Sequence, residues 1–343
     1  MRYGIPLWCC GAIVLALAAC HVGAQQFDSL PRYQPKGEAT GRVRVWGSAQ
    51  MSDLIERWQK GFHKYQPGVQ FENHMLGALS AVAGVYTGVA DLALSREIWP
   101  TETMAFEQVL GYKPTAIQVA TGSFDVPTKS DSLEVFVHRD NPISRLTLSQ
   151  LGAIFSAEQT TAARNIRSWG DLGLKGDWAD KPINGYAYLL DNAGSRFFRD
   201  MVLNGNQSWN CNIQGFANGQ AADGSRVDAG RLILEALSKD RYGIAISNLH
   251  YARPDVRALS LAVQDAGPFV APTKESIQDR TYPLTRAVYL FVNRAPNRPL
   301  DATLREFLIY ILSEDGQQDV MSEGGYLPLP TRVVREQLAL NSL

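Results

Sequence analysis

Three times along this chain a strand-like apolar run ends in a turn of small residues and passes into a helical pattern, and this repeated corner constrains the fold most. In the first, Arg42 to Trp46 alternates, Gly47-Ser48-Ala49-Gln50 turns, and Leu54, Ile55, Trp58 and Phe62 mark the buried face of a helix. In the second, Val69 to Phe71 is a strand, and Gly77-Ala78-Leu79-Ser80 leads into a small-residue helix ending near Gly88. In the third, Ile183 to Leu190 precedes Asp191-Asn192-Ala193-Gly194-Ser195-Arg196, after which Phe197, Phe198, Met201 and Val202 fall at helical spacing. At such corners the first backbone N–H groups of the helix lack internal acceptors and carry partial positive charge, so they suit an anion. An ordinary N-cap has the same appearance in sequence.

Further strands are expected at Asp91 to Ser95, from Pro114 to Thr121, at Leu133 to Val137, Tyr242 to Ser247 and Ala287 to Val292. Thr147 to Phe155 suggests a capped helix, Ile233, Leu234 and Leu237 lie on another, and Leu300 to Leu312 is a third. Strands alternating with helices give an α/β fold, in which ligands gather outside the carboxyl ends of the strands. Arg96 stands just beyond one of those ends, either aimed at a ligand or held in a surface ion pair.

The amino terminus carries an export signal. Arg2 is followed by an apolar run from Ile5 to Ala19 that is too short to span a membrane and ends in Leu17-Ala18-Ala19-Cys20, which resembles a bacterial lipobox. Residues 1–19 then form the signal, Cys20 is the lipidated first residue, and 20–40, with two prolines and no sustained period, is a tether. A cut after Val22-Gly23-Ala24 would instead release a soluble, secreted protein. With Cys9 and Cys10 in the signal and Cys20 lipidated or removed, Cys211 has no partner, so no disulfide framework holds the fold. The 343 residues, 45% hydrophobic, suffice for one large or two medium cores.

Several function classes are disfavoured. A formal net charge of -1 and the lack of basic runs with interleaved aromatics argue against nucleic-acid binding. His63, His74, His138 and His250 have no metal-ligand spacing, and no metal or other cofactor is expected. No G-x-S-x-G, H-E-x-x-H or G-x-x-x-x-G-K-[ST] motif occurs, and no histidine lies near Asp191 and Ser195, so the chain does not read as an enzyme.

The order of several landmarks resembles the phosphate-binding proteins of bacterial ABC transporters, within the two-lobed periplasmic binding proteins. These landmarks are Gly47-Ser48, Gly77 to Ser80, Ala90 to Arg96, Asp140-Asn141-Pro142 with Leu146-Thr147 and Ile154-Phe155, Gly194 to Phe198, Tyr242 to Ala245, Tyr282-Pro283-Leu284 and Gly324 to Pro328. The resemblance implies two lobes, each a mixed sheet flanked by helices: 41–135 with 285–343, and 136–284, joined by two hinge crossovers near Val135 and Leu284. It implies a periplasmic protein, expected to be a monomer and lipid-anchored if the lipobox is used, that closes on a small oxyanion, phosphate or a related ion, and delivers it to an ABC permease in the inner membrane. The positions carried over as ligand-binding are Ser48, Ala49, Gln50, Ser80, Arg96, Asn192, Gly194, Ser195 and Arg196.

The carry-over departs from the family pattern in each loop. Ala49 and Gln50 stand where hydroxyl residues usually follow the first Gly-Ser, Ala78 and Leu79 replace a small hydroxyl-bearing pair, and Ala193 precedes Gly194-Ser195 with Leu189 and Leu190 where a cation often stands. Each unpaired oxyanion contact in a dry cleft costs about 1–3 kcal/mol, so these losses bear on the ligand. The resemblance therefore leaves open a larger or organic anion, and also a lipid-anchored sensor or surface interaction protein with a degenerate anion site.

Overall fold

The computed structural model describes residues 30–127, 129, 132–157, 165–205 and 208–343. The expected signal peptide, the lipobox with Cys20 and the alternative cut after Ala24 lie outside the described residues. Two five-stranded sheets organise the chain. The first has the order β2 (Val69–His74), β1 (Gly41–Gly47), β3 (Leu92–Ser95), β14 (Ala287–Val292), β4 (Thr115–Thr121), parallel except for β14. The second has the order β12 (Val256–Ala258), β5 (Glu134–His138), β11 (Gly243–Ser247), β7 (Asn184–Tyr188), β8 (Ile213–Phe216), with β5 antiparallel to both its neighbours. Two short pairs, β6 (Arg145–Thr147) with β13 (Ser260–Ala262) and β9 (Gly219–Gln220) with β10 (Arg226–Val227), complete the strands.

The pleat sorts the first sheet's side chains between two cores. Val43, Val45, Leu92 and Leu94 face one side, where α1 (Ser52–His63) contributes Leu54, Ile55, Trp58 and Phe62. Helices α8 (Ala302–Ile311), α9 (Glu314–Glu323) and α10 (Thr331–Leu340) cover the same face. Ala93 and Phe291 point to the other side, onto Ala81, Val82 and Val85 of α2 (Ala78–Tyr86) and Phe106 of α3 (Pro100–Leu110). The second sheet packs with α4 (Leu148–Phe155), α5 (Ala193–Val202), α6 (Ala229–Leu237) and α7 (Lys274–Gln278) around Phe155, Trp169, Phe198 and Ile246. At about 1.5–3 kcal/mol for each large apolar side chain buried, either sheet carries its own core.

One sequence expectation is corrected here. Residues 30–39, read as part of a tether, pack on the first core instead: Leu30, Tyr33 and Ala39 are buried. Tyr33 sits among the rings of Phe62, Tyr65 and Tyr310, at centroid distances of 5.8, 5.3 and 5.4 Å, and donates its hydroxyl to Glu306 at 2.6 Å. The anchoring comes from one aromatic and several backbone bonds, among them Ala39 N–H to Gln66 Oε1 at 2.8 Å, so no periodicity advertised it.

The chain crosses between sheets twice, from β4 to β5 and from α7 to β14. The crossings run side by side, Leu133 N–H donating to Leu284 O at 3.1 Å and Gly122 N–H to Arg286 O at 2.9 Å. Leu284 lies in the second crossing, whereas Val135 is already inside β5, so the first crossing precedes the expected point.

Candidate functional site: the cleft between the sheets

The helix starts predicted from the three corners converge on the space between the two sheets. At the first, Ser48 is in the extended region (φ -74°, ψ 133°) and its N–H donates to Leu94 O at 3.2 Å, which turns Ala49 and Gln50 toward the cleft. Gly47 is required just before it, because a Cβ there would lie 2.8 Å from the Leu94 carbonyl oxygen. At the second, Gly77 adopts φ 152°, a conformation that L side chains rarely reach, and brings Ala78 to the cleft wall. At the third, Asn192 caps α5 by accepting from Gly194 N–H at 2.7 Å.

Two adjoining chambers occupy the cleft. A larger one of about 360 Å³ is lined by Ser48, Ala49, Gln50, Gly77, Ala78, Ser95, Arg96, Glu97, Trp99, Ala193, Arg196, Phe197 and Asp200. A smaller one of about 110 Å³ is far more polar, with Lys129, Tyr188, Asn192, Asn218, Arg226, Asp228, Asn248, Tyr251 and Arg286 around it, together with Gln50, Arg96, Leu133, Gly194 and Gly230. Gln50 and Arg96 belong to both. They are joined by a hydrogen bond from Arg96 Nη2 to Gln50 Oε1, and Arg96 Nη2 also reaches Lys129 O at 3.4 Å.

Of the nine positions expected from sequence, Ser48, Ala49, Gln50, Arg96, Asn192, Gly194 and Arg196 therefore line the cleft. Ser80 and Ser195 are not among the residues lining either chamber. Ser80 Oγ donates to Gly77 O at 3.0 Å, and Ser195, 1% exposed, donates to Tyr188 O at 2.7 Å. Both hydroxyls tie their own corner together.

Arg196 lines the larger chamber, but its contacts cross it. From α5 its Nη2 donates to Ile98 O at 2.6 Å, its guanidinium carbon lies 4.4 Å from the centre of the Trp99 ring, and Nε lies 3.6 Å from Asp200. Ile98 and Trp99 follow β3, so Arg196 bridges the two lobes at the cleft. Burial lowers the pKa of its guanidinium, and Asp200, Glu97 and Glu102 oppose the shift.

Sequence reasoning missed Arg286 and Glu97. Arg286, 4% exposed, stands at the head of β14 just after the second crossing and donates to Glu97 through Nη2 at 2.7 Å and Nε at 3.1 Å. Glu97 is half-buried at the cleft wall. Desolvation would raise its carboxyl pKa, but the Arg286 guanidinium outweighs that and holds it below the usual carboxylate range. Proximity to Leu284 and Arg96 was the only signal for this pair. Lys129 and Arg226 lie in segments with no period at all; Lys129 Nζ donates to Gln50 O at 3.1 Å and to Glu323 Oε1 at 2.9 Å. Among the described residues, no group of three or more His, Cys, Asp or Glu is placed to hold a metal ion.

This two-sheet arrangement with a cationic cleft agrees with what comparison finds. Residues 34–315 match the family described as a PBP superfamily domain. A phosphate-binding protein PstS of Pseudomonas aeruginosa is 34% identical over 331 residues, covering 94% of this chain and 96% of that one. The chain belongs to the phosphate-binding branch of the PBP superfamily. A more distant member, the phosphate-binding protein PstS of Staphylococcus haemolyticus, is 24% identical over 96% of this chain and 92% of its own. The family fold is also seen in solved structures. PstS from Borrelia burgdorferi superposes with a TM-score of 0.54 at 18% identity, covering 84% of this chain and 98% of that one. An ABC-type phosphate transport receptor from Vibrio cholerae gives 0.52 at 17% identity, over 83% and 99% of the two chains.

Proposed function

We propose that this chain is the oxyanion receptor of an ABC importer, with phosphate or a close relative as its ligand, and that it is a binding protein rather than an enzyme. The observation that carries this reading is the cleft, where Arg96, Lys129, Arg226 and Arg286 surround a small polar chamber at the starts of α5 and α6. Helix starts and guanidinium groups supply directed donors to tetrahedral oxyanions. The relatives named as phosphate-binding support the same ligand class.

In this reading the two lobes, one built on each five-stranded sheet, rotate on the paired crossings, and ligand stabilises the closed form by touching both. The mature protein works as a monomer on the periplasmic side, anchored through Cys20, and hands its ligand to an inner-membrane permease. No helix among the described residues is long and apolar enough to cross a membrane. Calorimetry with phosphate and sulfate on dialysed protein tests the reading: saturable binding of phosphate is expected. Folded protein that binds neither anion would leave the fold without this function.

A further inference from the structure

Gln50 lies in the short turn at the first corner, and its backbone is fixed from distant parts of the chain. Its carbonyl oxygen accepts from Lys129 Nζ and from the Tyr326 hydroxyl, each at 3.1 Å. Lys129 belongs to the first crossing between the sheets and Tyr326 to the segment before α10. Neither bond involves the Gln50 side chain.

That side chain meets Arg96, the residue after β3. A guanidinium carries donors only, so the amide atom that takes Arg96 Nη2 is the oxygen, and the NH2 group occupies the opposite branch. Among the described residues that NH2 makes no hydrogen bond, and Gln50, like Arg96, lines both chambers. Arg96 Nη2 also reaches Lys129 O, but at 3.4 Å, so Gln50 is the tighter hold.

The chemistry of that hold suits an anion site. A long arginine side chain loses rotamer freedom when it grips a ligand, and an acceptor that orients it beforehand reduces this cost. A carboxylate in the same place would orient the guanidinium too, but would set a negative charge beside the incoming oxyanion. A carboxamide orients it and adds no countercharge.

From this arrangement we propose that Gln50 is a positioning residue for oxyanion recognition: its carbonyl presets the Arg96 guanidinium at the junction of the two chambers, and its NH2 remains for the ligand as a neutral donor. The inference rests on the oxyanion-receptor reading and adds to it a residue that acts through Arg96.

The test is a double-mutant cycle of Gln50→Met and Arg96→Ala, read by calorimetry with orthophosphate on the full mature chain. Methionine keeps nearly the length of glutamine and lacks the acceptor, and the backbone bonds of residue 50 persist, so the urea midpoint should stay close to the parent's. Gln50→Met should weaken orthophosphate binding about fivefold in the parent, and about twofold or less where Arg96 is already alanine. Gln50→Glu keeps the hold on Arg96 but adds a carboxylate, and should weaken binding more than Gln50→Met does; a glutamine that only packs would tolerate the isosteric glutamate better. Because Gln50→Glu retains the oxygen, it carries the test if Gln50→Met proves unstable. Equal factors in the two backgrounds, or a Gln50→Glu variant that binds as tightly as the parent, would overturn the positioning role and leave the receptor standing. If the folded parent binds no orthophosphate, both readings fall.

Discussion

Arg286 holds Glu97 with two parallel hydrogen bonds, at 2.7 and 3.1 Å, and so fixes the end of β14 to the segment that follows β3 at the floor of the cleft. The pair is asymmetric: Arg286 is almost wholly buried, whereas Glu97 keeps 28% of its side chain exposed to the cleft. A planar guanidinium meets a carboxylate here in the geometry that gives the strongest charge-assisted bonds.

This pair makes acid stability sensitive to one carboxylate. Because the folded state lowers the pKa of Glu97, the group binds fewer protons folded than unfolded. Its stabilisation is complete above the ordinary glutamate value of 4.5 and is lost as pH falls through the lowered folded value. Glu97→Gln should be less stable than the parent at neutral pH, by about 1–3 kcal/mol, since a buried guanidinium loses its anion. The two should converge in acid. Thermal melts from pH 7 to pH 3 test this, and curves that remain parallel throughout would show that Glu97 contributes nothing to the acid limb.

The contact of Arg196 with Ile98 O and the Trp99 ring spans the lobes, so it stabilises the closed arrangement and not the open one. A cation over an indole contributes about 0.5–2 kcal/mol, which corresponds to roughly 2- to 30-fold in a closing equilibrium. Arg196→Ala should weaken phosphate binding within that range, mainly through faster release, with a larger radius of gyration in small-angle scattering. Stopped-flow fluorescence, reporting through Trp99, separates the two rates. An unchanged release rate would assign Arg196 to local packing on α5.

Much of the fold was legible because its signals are local. Leu54, Ile55, Trp58 and Phe62 fall on one helical face, and all four are fully buried; Ala287 to Val292 is an uninterrupted apolar run and forms β14 with those bounds. Corners were equally readable, since Gly47 and Gly77 punctuate strand and helix. What escaped was set by distance in sequence. Arg286 reaches the cleft only because β14 inserts between β3 and β4, 189 residues after its partner, and nothing near it announces this. Ser195 differs again: its type and position suit a ligand hydroxyl, but the strand end at Tyr188 presents a carbonyl that accepts its hydrogen bond at 2.7 Å.

The export reading makes a prediction independent of the cleft. In that reading, Leu17-Ala18-Ala19-Cys20 at the end of the apolar run is a lipobox and Cys20 the residue that takes the lipid. Metabolic labelling with a fatty acid should mark the mature protein, and Cys20→Ser should abolish the label. A mature, unlabelled chain starting at Gln25 would establish the alternative cut.

Arg96 and Ser195 offer the sharpest separation between ligand chemistry and support. Arg96 lines both chambers and bonds Gln50 and the Lys129 carbonyl, contacts made at the cleft surface rather than in a core. Arg96→Ala should therefore weaken phosphate binding by about tenfold or more, roughly 1.4 kcal/mol, while leaving the denaturation midpoint nearly unchanged. Ser195→Ala removes a buried donor and leaves the Tyr188 carbonyl one bond short, for a stability loss of about 1–3 kcal/mol. Its effect on affinity should be smaller than that of Arg96→Ala, because the α5 start keeps its Asn192 cap on Gly194 N–H. Calorimetry and urea denaturation on the two variants give four numbers. The opposite pattern, with Arg96→Ala binding normally and Ser195→Ala losing the anion, would move the oxyanion from the Arg96 side of the cleft to the α5 corner.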